Sequence, residues 1–218
     1  MMTLNSARRA GSICGISLVI GLTGCGSMKP LPSDTFYRLK IERGVSEKAK
    51  GVMWTEKLLR VTKFHASGLH RERPIVYSDA DQVVVKQHRY HLWIDSPERM
   101  LQHDLISYLR AARVAPGISG ADLSGEGIEI HGRIRQMDQV IAADSTRVVV
   151  ALAFELIERG SDPTLVFGRE YRESRTVSGG DMRAVAAAMS DAVGAIFERF
   201  AFDAGGALAG ISHQSDAR

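Results

Sequence analysis

Three runs of alternating side chains between residues 128 and 171 constrain this chain more than any other feature. Ile128, Ile130 and Ile134 alternate with Glu129, His131, Arg133 and Arg135, the period of two expected of a strand with one buried and one wet face. The phase breaks near Gln136–Asp138, which predicts a bulge or the end of the strand. In the next run Val148, Val150, Leu152, Phe154 and Leu156 share one face, while the other face begins Val149, Ala151, Ala153. A strand that is apolar on both faces belongs in the middle of a sheet. Leu165, Phe167 and Tyr171 mark a third strand. The links, around Ala143-Asp144-Ser145 and Gly160-Ser161-Asp162-Pro163, are too short for a crossover, so the three strands form an antiparallel meander.

A meander with one apolar face needs a cover, and the rest of the chain supplies it. Asp95 or Ser96 can cap a helix, Pro97 fits its first position and Glu98 suits the positive end of its dipole. Leu101, Leu105, Tyr108, Leu109 and Ala112 continue at helical spacing to about Arg113, and Pro116 and Gly117 stop the helix. A final helix opens at Gly180-Asp181 and aligns Val185, Met189, Val193, Ile196 and Phe200. Before the first helix, Phe36–Ile41 and Lys57–Phe64 read as strands, the second with Leu59, Val61 and Phe64 near a period of two. Ile75-Val76-Tyr77 and Gln82–Lys86 flank Ser78-Asp79-Ala80-Asp81 as a hairpin. Residues 43–51 read as a loop and 203–218 as a small, polar, frayed tail. The predicted fold class is α+β: a two-layer domain, a largely antiparallel sheet with two main helices packed on one face. At 218 residues, 44% apolar and 24% charged, the composition is that of one globular domain.

Both cysteines, Cys14 and Cys25, lie in the first 25 residues, leaving none for a disulfide, a cysteine zinc site or a thiol nucleophile in the domain. Arg8 and Arg9 precede an uncharged stretch containing Ile13, Ile16, Leu18, Val19, Ile20 and Leu22, which has the proportions of a signal-peptide core. The stretch ends in Leu22-Thr23-Gly24-Cys25, which resembles the bacterial lipobox. That resemblance implies cleavage between Gly24 and Cys25 and acylation of Cys25, with palmitate among the expected chains. Residues 1–24 are then a lipoprotein signal, 25–35 an acylated cysteine and Pro- and Ser-rich tether, and 36–202 the domain. Loss of Arg8 and Arg9 leaves 26 of the 28 basic residues against 25 acidic, a near-neutral chain with no electrostatic case for nucleic acid. Gly26 and Ser27 follow the cysteine where an inner-membrane retention signal would place Asp. By resemblance to enteric-type lipoproteins this points to the outer membrane, facing the periplasm.

The domain carries no Gly-x-Ser-x-Gly elbow, P-loop, dinucleotide fingerprint or His-Glu-x-x-His, so neither a catalytic residue nor a cofactor is expected. His88 and His91 are three apart. Placed where a strand gives way to a loop, with strand spacing turning them to opposite faces, they read as surface histidines, not metal ligands. Asp79 and Asp81 read as turn residues, Arg71-Glu72-Arg73 as a solvated loop, and Arg133 and Arg135 as the wet side of a sheet.

The lipobox, the tether, Phe36-Tyr37-Arg38-Leu39 and the strand Leu59-x-Val61-x-x-Phe64 together resemble the ABC-type transport auxiliary lipoproteins, the PqiC-like family. Arg73-Pro74-Ile75-Val76-Tyr77 and Tyr90-His91-Leu92-Trp93-x-x-Ser96-Pro97 with Leu101 are similar to that family's hairpin strand and its lead into the first helix. The resemblance implies an outer-membrane accessory subunit of a lipid-transport system, partnered by an MCE-domain protein and an ABC-type permease complex, working by docking and in some members as a ring. Of the matching residues only Cys25 has a defined chemical role; Tyr37, Phe64, Tyr77, Tyr90, Trp93 and Pro97 are expected to be structural. The competing expectations are a lipoprotein that activates another envelope machine, such as a peptidoglycan synthase, and a lipid-anchored hydrolase.

Overall fold

A computed structural model describes residues 32–41, 53–121 and 126–215, with side chains described as far as residue 209. Cys25, its flanking Gly24 and the predicted loop 43–51 lie outside these residues.

The meander is the spine of the domain. Strands β6 (Gly127–Ile141), β7 (Thr146–Arg159) and β8 (Thr164–Thr176) pair antiparallel along nearly their whole lengths, β7 in the middle. The phase break in the first run is a register shift between Ile134 and Gln136, and the strand continues beyond it to Ile141. The third run departs from expectation at its start. An irregularity between Leu156 and Ile157 leaves Val166 as an extra residue, so Leu165 is turned outward and is 61% exposed, while Phe167 and Tyr171 stay on the packed face.

The long β6 has room on its other edge for two separate groups of strands. Its first part takes β2 (Leu59–Val61), beyond which lies β5 (Ile118–Ser119); its last part takes β3 (Pro74–Asp79). Strand β4 (Val85–Trp93) forms the predicted hairpin with β3, and β1 (Thr35–Tyr37) lies parallel on β4. The sheet is therefore eight-stranded and mixed: the long ladders are antiparallel, and the short ones, β1–β4, β2–β5, β2–β6 and β3–β6, are parallel. Two of the predicted strands prove shorter than their alternation. Residues Arg38–Ile41 leave the sheet after β1, with Leu39 turned into the core, and β2 stops at Val61. In the hairpin, Asp79 and Asp81 accept the amides of Val84 and Val83, and Gln82 has φ of 60°, so Val83 and Val84 form the turn and not the strand.

Helices α1 (Pro97–Ala112) and α2 (Met182–Ser215) cover one face of this sheet. Ser96 is the N-cap, extended and without a side-chain cap bond; Asp95 instead accepts the Ser96 amide at 2.7 Å, and Pro97 holds the first helical position. Arg113, in the left-handed region, closes the helix. The core joins Leu101, Leu105 and Leu109 of α1, Val193, Phe197 and Phe200 of α2, and the Val148-to-Leu156 face of β7. At its centre Phe154 stacks on Phe200 with centroids 4.2 Å apart, a pairing that adds about 0.5–1.5 kcal/mol to the burial itself.

The tail expected to fray from residue 203 is instead part of α2, which runs to Ser215, with Ala204 and Leu208 buried. The correction has a cause outside the helix. Trp54, buried and edge-on to Phe200, lies so near Gly205 that a Cβ there would sit 2.8 Å from its indole nitrogen. The small residues that look like a frayed end in sequence are the groove that receives an aromatic ring.

Candidate functional site

The residues singled out by their pattern separate into two groups. Phe64, Trp93 and Pro97 are buried. Phe64 sits edge-on to Phe154 at 5.8 Å and lies directly over Gly132 of β6. The Trp93 amide donates to Arg73 O at 2.7 Å, and the Arg73 guanidinium returns a bond to Trp93 O while lying 5.0 Å above the Phe36 ring. That exchange fastens the hairpin to the segment leading into α1.

Tyr37, Tyr77 and Tyr90 stay half-buried. Arg89 lies over the Tyr90 ring at 5.3 Å. Tyr37 and Tyr77 are brought into one polar row by the two histidines between them. The Tyr37 hydroxyl is 3.1 Å from His91 Nδ1, the His91 and His88 rings are 5.6 Å apart, and the Tyr77 ring lies 4.5 Å from His88. His88 Nε2 is 2.8 Å from Gln139 Oε1 on β6.

This corrects the reading of His88 and His91 as separate surface groups on opposite faces. Strand β4 runs through both, and its ladder with β3 is irregular: Pro74 pairs with Leu92 but Val76 with Gln87. The surplus residues on β4 fold the backbone so that both rings point to one side. Burial pushes the His88 pKa below the usual histidine value, with His91 acting in the same direction and the Gln139 bond against it. Among the described residues no group of three His, Cys, Asp or Glu is placed to hold a metal ion.

A second polar anchor escaped the sequence reading except as a helix-dipole residue. Glu98, buried in the first turn of α1, accepts the Ala66 amide at 3.0 Å and pairs with Lys63 at 2.7 Å. Burial alone would raise its pKa; the Lys63 ammonium and the Ala66 amide outweigh it and hold the carboxyl below its usual range.

A sequence model of the family described as "ABC-type transport auxiliary lipoprotein component" matches residues 37–201. The chain belongs to this family. Tyr37 opens the matched region, which holds Phe64, Tyr77, Tyr90, Trp93 and Pro97 and closes inside α2. Among solved structures, the chain is similar to protein XCC0632 from Xanthomonas campestris, with TM-score 0.67 and 18% identity, covering 84% of this chain and 99% of that one. It is also similar to an uncharacterized protein with TM-score 0.62 and 14% identity, covering 78% of this chain and 98% of that one. At such identities the likeness establishes the fold alone. The comparison with curated proteins finds no match. Within this auxiliary lipoprotein the buried motif residues and the polar row on β1, β4 and β3 occupy different places. The buried motif residues hold the helix layer on the sheet, and the histidines and tyrosines line its β1 side.

Proposed function

We propose that this chain is an outer-membrane lipoprotein subunit of an MCE and ABC-type intermembrane lipid transport system. It acts by docking to the periplasm-spanning MCE component, not by catalysis, and is held to the membrane by acyl chains on Cys25. The observation that carries this reading is the family match over 37–201, which makes the chain an auxiliary component of ABC-type transport. The lipobox-like Leu22-Thr23-Gly24-Cys25 supports the anchor, since two or more acyl chains give stable attachment. Among the described residues no helix is long and apolar enough to cross a membrane. Gly26-Ser27 after the cysteine favours outer-membrane sorting. A homo-oligomeric ring is the assembly that best fits a subunit surrounding or capping a tunnel.

In-cell crosslinking of the full chain tests the docking. Recovery of an MCE-domain protein and its permease is expected; recovery of a peptidoglycan synthase with neither of them would refute it. The anchor is tested separately: Cys25→Ser abolishes palmitate labelling, and labelling that persists removes the lipoprotein assignment.

A further inference from the structure

Where the chain leaves β1 it runs beside the first turns of α2, and the two walls enclose a cavity of about 740 Å³. Its charged rim is one-sided. Among the described residues, Arg38 and Lys40 come from the β1 side and Arg183 from α2, against one carboxylate, Asp181. That carboxylate is engaged with its own helix, accepting the Ala184 amide at 2.8 Å. All three cations are exposed, and none of them forms an ion pair among the described residues. With Asp181 counted, positive charge is still in surplus on this rim, which draws an anion toward the concavity.

The rest of the lining is mixed: Thr35, Tyr37, His91 and Ser190 are polar, and the apolar part comes from α2 and Phe36. Met182, Ala186 and Ala187 form the floor, and Phe36, 51% exposed, stands at the edge. The walls are fixed to each other: the Lys40 amide donates to Ser190 Oγ at 3.0 Å, and Ser190 donates to Ala186 O at 2.7 Å. The cavity therefore does not depend on its ligand to exist.

A cationic rim above an apolar floor fits an amphiphile with an anionic head, and guanidinium groups suit a phosphate because they offer paired donors. We propose that this cavity binds the phosphate headgroup of a glycerophospholipid, with the upper acyl region lying on Met182, Ala187 and Phe36. The lipid source follows from chain length and rests on the anchored reading above. Only twelve residues lie between Cys25 and Arg38, a reach of at most about 45 Å, so an anchored domain keeps this cavity within a short distance of a bilayer surface.

The full acylated chain in uncharged maltoside micelles is titrated calorimetrically with dihexanoyl phosphatidylglycerol, and in parallel with inorganic phosphate. Saturable one-site lipid binding is expected, with inorganic phosphate much weaker. Arg38→Glu with Arg183→Glu weakens lipid binding by about tenfold or more, as loss of about 1.4 kcal/mol does; Lys86→Glu, on the hairpin, leaves it unchanged. Ala187→Trp fills the floor without altering charge and is expected to weaken binding as well, which keeps the test decisive if the double charge reversal fails to fold. No saturable lipid binding, or binding unmoved by the charge reversal and the tryptophan, overturns the proposal. Equal binding of inorganic phosphate assigns the cavity to a free anion and overturns the lipid. Crosslinking to an MCE protein without lipid binding refutes the cavity alone; lipid binding without that partner refutes the docking role alone.

Discussion

Gly132→Ala is the sharpest probe of how this sheet and its core are fitted together. The added Cβ would lie 2.5–2.6 Å from three carbons of the Phe64 ring. An ordinary contact begins near 3.4 Å, so about 1 Å of retreat is needed. The ring has little room to give it, since it is buried and set edge-on to Phe154. The backbone of Gly132 has little room either, because β6 is laddered to β7 at this point and bridged to His65 on the other side. Overpacking of this kind costs about 1–3 kcal/mol. Gly132 does not have a positive φ, so alanine also restricts the unfolded chain and returns about 0.4–1 kcal/mol. The expected net loss is about 1–2 kcal/mol, read as a lower urea midpoint at unchanged slope. Gly168→Ala on β8 is the control: nothing lies within 4 Å of its Cβ, so only the unfolded-state term acts and the chain is expected to gain stability. Phe64→Leu combined with Gly132→Ala should show coupling of about 1 kcal/mol or more in a double-mutant cycle. A Gly132→Ala chain as stable as the parent, or additive with Phe64→Leu, would refute the packing argument.

Asp104 is pushed up to about 6 by burial, with His103 only partly opposing. Its folded pKa lies above its ordinary 3.8, so the folded state holds the proton more tightly and stability falls as pH rises from about 4 to 6. Asp104→Asn is expected to stabilise the chain by about 1–2 kcal/mol at pH 7.5 and by little at pH 4, measured by thermal unfolding at both. For His88 the sign is reversed: burial lowers the folded pKa below the ordinary 6.5, so stability is full above that value and is lost as pH falls below it. His88→Gln should flatten the acid side of the stability profile, and an unchanged profile would remove His88 from it. Glu98→Ala strips the buried Ala66 amide of its acceptor and is expected to cost about 1–3 kcal/mol in urea unfolding.

Most of the scaffold was legible in the sequence because the long elements carry their own periodicity. The meander, the hairpin and both helices follow from alternation, turn residues and capping in Ile128–Tyr171, Ser78–Asp81 and Ser96-Pro97. The parallel pairings of β1 and β2 were not legible, because a three-residue strand has no period of its own and its partner is chosen by what β4 and β6 leave open. The course of α2 past residue 203 was hidden for a related reason: the signal is in Trp54, about 150 positions away in sequence, and not in the glycines it covers. The polar row was missed because strand parity is a rule for regular ladders. His88 and His91 share a side through a β4 irregularity that only the β3 partner reveals. The cavity beside α2 had no sequence signature at all; Arg38, Lys40 and Arg183 are unremarkable cations until the fold places them on one rim.

The double occupancy of one β6 edge sets an order of events when the chain is made. Among the described residues strand β2 pairs with β5 and β6 alone, and the hairpin β3–β4 can close early but must wait for Asp138–Ile141 before it joins the rest of the sheet. The meander, by contrast, pairs neighbours in sequence and needs nothing from upstream. A chain emerging from its amino end therefore holds the apolar side chains of Leu59, Val61 and Phe64 without a finished site until more than sixty further residues have appeared. Such long-range closure is slow and leaves strand edges open to other chains. Leu59–Val61 and the hairpin β3–β4 are open to such pairing until β6 arrives.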